Sequence, residues 1–246
     1  MIHRKRIIPV LLIHQDGLIK SKRFKDYTYI GDPVNAVRIF NDKEVDEIII
    51  LDIDASKKGR GPNFDFIADI TGEAFMPLAY GGGITQLEEA EKLFYNGVEK
   101  IILNSTLHTS VGFDLVHQIS KRYGSQSVIA SIDIKEGLFN KKKIHTHFNG
   151  KDHSLDLVHL AKQYESAGVG EIMLNSVSRD GTYKGYDLVT LRKIADAVEI
   201  PVIISGGASS VEDFKQAEEF GASAMAAGSI FVFQRPHNAV LISYDV

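Results

Sequence analysis

Pro77-Leu78-Ala79-Tyr80-Gly81-Gly82-Gly83 returns 124 positions later as Pro201-Val202-Ile203-Ile204-Ser205-Gly206-Gly207. Each copy is a proline, a short apolar run and a glycine-rich turn. The same offset relates Glu47-Ile48-Ile49-Ile50-Leu51 to Glu171-Ile172-Met173-Leu174-Asn175, Asn96-Gly97 to Phe220-Gly221, and Ser105 to Ser229. A repeat of this length is a supersecondary array that must stack to bury a core. Apolar runs at Ile7–Ile13, Glu47–Ile53, Met76–Tyr80, Lys100–Leu103, Val128–Ile134, Glu171–Asn175, Pro201–Ile204 and Ala224–Gly228 alternate with amphipathic helical patterns such as Leu87–Asn96, Asp156–Ala167, Leu188–Ala197 and Val211–Phe220. Several runs are apolar throughout, as in strands buried on both faces of a parallel sheet. The pattern predicts an α/β fold: one (β/α)8 TIM barrel over 1–246, made of half-barrels at about 1–122 and 123–246. A doubly wound open sheet is the structural alternative.

Composition closes other doors. The 246 residues carry 28 Lys+Arg against 32 Asp+Glu, a net charge of −4, with 44% hydrophobic residues. The absence of Cys excludes disulfide scaffolds, zinc ribbons, iron–sulfur centres and thiol nucleophiles. Mild acidity argues against nucleic acid or an anionic membrane as partner. The basic His3–Arg6 and apolar Ile7–Ile13 stop at His14-Gln15-Asp16, too short for a membrane span, and read as a buried first strand. A cytoplasmic protein is expected. The nine histidines show no metal-ligand spacing and read as surface or loop residues, so neither metal nor cofactor is implied. His145 and His147 alternate in a hairpin strand after Lys141–Lys143, itself read as a solvated turn. Residues 20–33, with Lys20 and Tyr27-Thr28-Tyr29, read as a long loop closing over substrate.

In a barrel the chemistry lies at the carboxyl ends of the strands. Gly82, Gly83, Asn104 and Ser105 there in one half, and Gly206, Gly207, Gly228 and Ser229 in the other, let backbone N–H groups and helix N-termini approach an anion. Asp180-Gly181 joins the second group. Two such sites related by the repeat suggest a substrate with a phosphate at each end. Asp52, Asp133 and Asp180 end strands. Asp133, flanked by apolar residues, is the candidate general acid or base. For Asp52 and Asp180 the competing reading is a brace for loop amides. Arg6, Glu47, Lys100 and Glu171 each stand at the opposite end of an apolar run, two of each sign, where a ring of salt bridges could form. Spacing alone allows that ring to be a purely stabilising network.

The motifs resemble the cyclase subunit of imidazole glycerol phosphate synthase over nearly the whole chain. The matching stretches include Lys5-Arg6-Ile7-Ile8-Pro9, Gly31-Asp32-Pro33-Val34, Leu51-Asp52-Ile53, Gly81-Gly82-Gly83-Ile84, Tyr123-Gly124-Ser125-Gln126, Ile132-Asp133, Arg179-Asp180-Gly181-Thr182, Gly185-Tyr186-Asp187 and Ser205-Gly206-Gly207-Ala208. The resemblance implies a glutaminase partner at the amino-terminal mouth and ammonia passing through the barrel to a bis-phosphate substrate. It also implies an ammonia gate at Arg6, Glu47, Lys100 and Glu171, and two catalytic aspartates at the ends of strands one and five.

The second aspartate matches Asp133; at the first stands Leu12, in Pro9-Val10-Leu11-Leu12-Ile13. Leucine transfers no proton, and losing one of two such groups removes roughly 10²–10⁴ in rate. Glu99 also replaces the interface Asp usual in the family, and the β-rich stretch Ala239–Tyr244 stands where a final amphipathic helix is expected. Gate kept and Asp lost resembles a paralogous branch that accompanies surface-polysaccharide genes. There the barrel subunit is thought to supply ammonia for turning a sugar acetamido group into an acetamidino group, with a separate sugar amidotransferase as a further partner. The expectations are therefore an ammonia-channelling subunit for amidino-sugar formation, a cyclase of histidine biosynthesis, or a non-catalytic activator of a glutaminase.

Overall fold

The computed structural model describes residues 5–137, 142–145, 152–153 and 156–245. In chain order the elements are β1 (Arg6–His14), β2 (Gly17–Lys22), β3 (Lys25–Gly31), α1 (Pro33–Asp42), β4 (Ile48–Asp52), α2 (Phe64–Thr71), β5 (Leu78–Gly81), α3 (Leu87–Tyr95), β6 (Lys100–Leu103) and α4 (Gly112–Tyr123). They continue with β7 (Val128–Glu136), β8 (Lys142–His145), β9 (Asp152–His153), α5 (Leu157–Ala167), β10 (Glu171–Ser176), α6 (Leu188–Ala195), β11 (Val202–Ser205), α7 (Val211–Glu219), β12 (Ala224–Ala227), α8 (Ser229–Val232), β13 (Phe233–Gln234) and β14 (Ala239–Val240). Strands β1, β4, β5, β6, β7, β10, β11 and β12 pair in parallel in that order, and β12 returns to β1. The sheet closes into a (β/α)8 barrel.

Period-two alternation divides each barrel strand between two cores. Ile8, Val10, Ile49, Ala79, Ile102, Ile129, Met173, Ile203, Ala224 and Ala226 fill the interior, with Leu12 and Leu51 packed on top. Ile7, Leu11, Ile13, Ile48 and Ile50 face outward, under the helices. Both faces are buried, which is why the runs read as continuously apolar. The inward row of β1 is Arg6, Ile8, Val10, Leu12, so one strand carries a charge at one mouth and a leucine at the other.

The helix starts obey the repeat. The N-caps of α1 and α5 are Asp32 and Asp156, those of α2 and α6 are Asn63 and Asp187, and those of α3 and α7 are Gln86 and Ser210, each pair 124 residues apart. Gln86 and Ser210 both form capping boxes, with Glu89 and Asp213 at the third helical position.

Three local expectations are corrected. Residues 20–33 are not a loop: β1, β2 and β3 form a meander joined by the two-residue turns Gln15-Asp16 and Arg23-Phe24. All four turn residues are left-handed, with φ of 50°, 61°, 55° and 59°. Such turns usually advertise themselves as Asn-Gly or Asp-Gly, and these do not. Lys20 therefore lies in a strand and is buried. Lys142 and Lys143 are not a solvated turn but open β8, antiparallel to β7; the Lys142 ammonium reaches Glu136 at 3.0 Å and Asp187 at 2.6 Å. Uniform charge hid the alternation there. Lys141 and His147 lie outside the described residues. His14 is neither loop nor free surface: it ends β1 with Nδ1 2.8 Å from Asp54 Oδ1. After the short α8, the β13–β14 hairpin occupies the place of a final long helix.

Candidate functional site

At the amino-terminal mouth, Arg6, Glu47, Lys100 and Glu171 stand two residues below Ile8, Ile49, Ile102 and Met173 on their inward rows. They close a ring. Arg6 Nη1 donates to Glu47 Oε2 and Arg6 Nη2 to Glu171 Oε2, both at 2.5 Å. Lys100 Nζ donates to Glu47 Oε2 at 2.9 Å and to Glu171 Oε1 at 2.8 Å. Signs alternate around the ring and its net charge is zero. Burial alone would push the Glu171 carboxyl up, but its bonds to Arg6 and Lys100 hold it below the usual carboxylate range. Burial likewise opposes charge on Arg6, and the two glutamates overcome it and raise the guanidinium.

At the other mouth, Leu12 and Leu51 cap the interior, paired in register. Asp133 is buried beside them; its Oδ1 accepts from Asn175 Nδ2 at 3.3 Å and from Ser131 Oγ at 3.5 Å. Sequence reasoning missed Asn175 and Ser131, although inward parity finds both: Ser131 is two residues from Asp133, and Asn175 two from Met173. Asp52 lines the same mouth but is engaged by the loop after its strand. It accepts from the Asp54 and Ala55 amides at 2.9 and 3.0 Å and pairs with Arg60 Nη2 at 2.8 Å, bracing the β4–α2 connection.

Two adjoining pockets open above this floor. The first is lined by Gly82, Gly83, Asn104 and Ser105, with Ser56 and Lys57. The second is lined by Gly181, Gly206, Gly207, Gly228 and Ser229, with Lys20 and Asp180. They share Leu12, Phe24, Leu51 and Asn175. The glycine-rich turns thus gather into two neighbouring concavities separated by an apolar bridge. Gly82 and Gly206 have φ of 138° and 90°, and a Cβ there would sit 2.6 Å from Asp52 O and 2.7 Å from Ser176 O. Asn104 Oδ1 is buried without a hydrogen-bond partner among the described residues.

Lys20 Nζ donates to Val10 O beside Gly228. Burial lowers its ammonium to about 8, against the pull of Asp180. The Asp180 carboxylate is turned toward the hairpin, accepting from Ser21 Oγ at 2.7 Å and Phe24 N at 3.3 Å, while Asp180 O accepts from Arg23 N at 3.0 Å. Burial pushes that carboxyl up past the opposing Ser21 hydroxyl and Lys20 ammonium. Asp180 therefore pins the tip of the β2–β3 hairpin over the second pocket. Among the described residues no three His, Asp or Glu side chains cluster as a metal ion requires, and no helix is long and apolar enough to cross a membrane.

The arrangement can hold two anionic groups, keep a largely apolar floor between them, and present the Asp133 carboxylate, with Asp52 and Asp180 engaged by their own loops, to whatever spans them. A family model for histidine biosynthesis proteins matches residues 6–236. The chain is 48% identical to a Pseudomonas aeruginosa protein provisionally named imidazole glycerol phosphate synthase subunit, over 98% of this chain and 96% of that one. It is 43% identical to a Vibrio vulnificus protein of the same provisional name, over 98% and 93%. To the Corynebacterium glutamicum imidazole glycerol phosphate synthase subunit it is 37% identical, over 93% and 90%.

Proposed function

Since the chain belongs to the histidine biosynthesis protein family, we propose that it is the barrel subunit of a glutamine amidotransferase complex, diverged from cyclisation to the delivery of ammonia for acetamidino-sugar formation. A glutaminase subunit docks at the amino-terminal mouth and releases ammonia beneath the Arg6–Glu47–Lys100–Glu171 ring. The ring is the gate. Above it the interior is lined by aliphatic side chains and Met173, with the Ser131 hydroxyl level with Met173, as far as Leu12. Such a path admits the neutral molecule and disfavours ammonium, whose charge would be buried without a partner. A phosphorylated acceptor lies across the two glycine-rich pockets; as ammonia adds to the acetamido carbon, Asp133 takes the proton that the nitrogen sheds, and the displaced acetamido oxygen leaves as water. A separate sugar amidotransferase completes the transfer. The two halves, about 1–122 and 123–246, each supply one anion site.

The observation that carries this reading is Leu12. It is the top of the inward row that begins with Arg6, and it extends the apolar lining to the rim where a second proton-transferring group would stand. The test is partner-dependent turnover of the histidine-pathway substrate. The native protein with its glutaminase is expected to show none, and Leu12→Asp is expected to create it. Full turnover by the native protein overturns the reading. It would favour the second one, a genuine cyclase of histidine biosynthesis, which draws its support from Asp133 and both pockets being present and from the relatives' names.

A further inference from the structure

Outside the two pockets lies a wide concavity lined by Lys22, Arg23, Lys25, Lys57, Lys135, Arg179 and Lys184, with only Asp26 and Glu136 of opposite sign. This is a dense positive surface on a chain whose net charge is −4. Glu136 is already engaged by Lys142 and Arg179. Lys22, Arg23, Lys25 and Lys184 are exposed and have no ion-pair partner among the described residues.

The hairpin tip is built at a cost. Lys22 and Lys25 are paired directly across the strands, where like charges repel. Arg23 and Phe24 between them hold left-handed backbone that Asn-Gly would adopt with less strain. Yet the tip is not loose, because Asp180 takes hydrogen bonds from the amides of both Arg23 and Phe24. Three cations in four residues are thus fixed at the rim by the aspartate that lines the second pocket. Phe24 is common to this concavity and both pockets, so the three form one continuous surface.

The chemistry of the concavity differs from that of the pockets. The glycine turns suit one phosphate each, held by backbone N–H groups. The concavity offers point charges on long side chains, which suit a more highly charged group. We propose that this vestibule binds a diphosphate group of the acceptor, extending outward over Phe24 from the second glycine-rich pocket. The inference rests on the reading that the acceptor occupies the carboxyl-terminal mouth. A neutral sugar, or one bearing a single phosphate, would leave these cations unused, whereas a sugar carried on a diphosphate would not.

The experiment is calorimetric titration of the purified full chain with inorganic pyrophosphate, uridine diphosphate and inorganic phosphate at low salt. A Lys22→Ala, Lys25→Ala, Lys184→Ala triple variant alters only exposed side chains. It is expected to weaken pyrophosphate and uridine diphosphate by about tenfold or more while leaving inorganic phosphate in the glycine-rich pockets within about twofold. Lys184→Glu alone is expected to shift affinities the same way. Uridine diphosphate binding more tightly than pyrophosphate, with the increment lost in Phe24→Ala, identifies a nucleoside-linked diphosphate; equal binding of the two identifies a diphosphate without a base. Unchanged pyrophosphate affinity in the triple variant overturns the proposal and leaves the function reading intact. So does a native chain that binds pyrophosphate no better than phosphate, and an acidic protein surface then becomes the occupant to seek. Loss of phosphate binding by the native chain strikes instead at the two-pocket reading.

Discussion

Asn175 lies directly opposite Asp133 in the β7–β10 register and donates its side-chain amide to the carboxylate at 3.3 Å. Both residues are buried. A buried carboxylate that loses a donor bears the full desolvation cost of the unmet acceptor. Asn175→Leu is therefore expected to destabilise the protein by about 1–3 kcal/mol, read as a lower urea midpoint with unchanged slope. An unchanged midpoint would mean that Ser131 and the remaining surroundings satisfy Asp133 alone.

The charged ring makes a larger demand. Glu47→Ala leaves Arg6 and Lys100 facing each other across one remaining carboxylate, and removing one partner of a buried pair costs about 3–5 kcal/mol. The same variant is expected to uncouple the complex: glutamine hydrolysis continues while nitrogen transfer falls. Unaltered coupling would leave the ring a structural network and favour the activator reading.

Glu171 gives the ring a pH signature. Its carboxyl is held below the usual range when folded, so it contributes stability above its unfolded pKa. That contribution is lost as pH falls through the folded value. Chemical denaturation from neutral pH downward should show the native protein losing stability faster than Glu171→Gln below about pH 4.3, the ordinary glutamate value.

Lys20 behaves in the opposite sense. Its ammonium falls to about 8 from 10.5, so the unfolded chain binds the extra proton between those values and folding becomes more favourable as pH rises through them. Lys20→Met is expected to be more stable than the native protein at pH 7, with the advantage shrinking between about pH 8 and 10.5. Phosphate affinity of the native chain should weaken over the same rise, as the cation beside Gly228 is discharged. A pH-independent phosphate affinity would remove Lys20 from the anion site.

Gly82 answers for the first pocket. With φ at 138° and Asp52 O in the place of a Cβ, Gly82→Ala is expected to lose about 1–3 kcal/mol, measured by thermal or urea unfolding.

The barrel was legible because its strands are apolar on both faces and its turns punctuate at a fixed interval. The repeat in Pro77–Gly83 and Pro201–Gly207 placed two of the eight strand ends and, with them, the glycine-rich walls of both pockets. The four ring residues could be read because each is the last charge before an apolar run. What escaped notice lacked such contrast. Arg23-Phe24 turns the hairpin without a turn residue, Lys142 alternates inside a lysine run, and Asn175 is an uncharged polar residue in a strand buried on both faces, where composition shows no alternation. The pairing of Asp180 with Ser21 joins residues 159 positions apart, a separation that no local pattern encodes.

The ring also has a consequence for how the barrel could be assembled from parts. Arg6, Glu47 and Lys100 precede Tyr123, and Glu171 follows it, so a chain divided there would carry a surplus positive charge at the mouth of one fragment and a lone negative charge on the other. Two copies of the first fragment would bring four cations to two carboxylates, and two copies of the second would bring carboxylates alone. Only the mixed pair is neutral. The quartet thus acts as a code for heterotypic closure, and co-expressed fragments should assemble one to one in preference to either self-pairing.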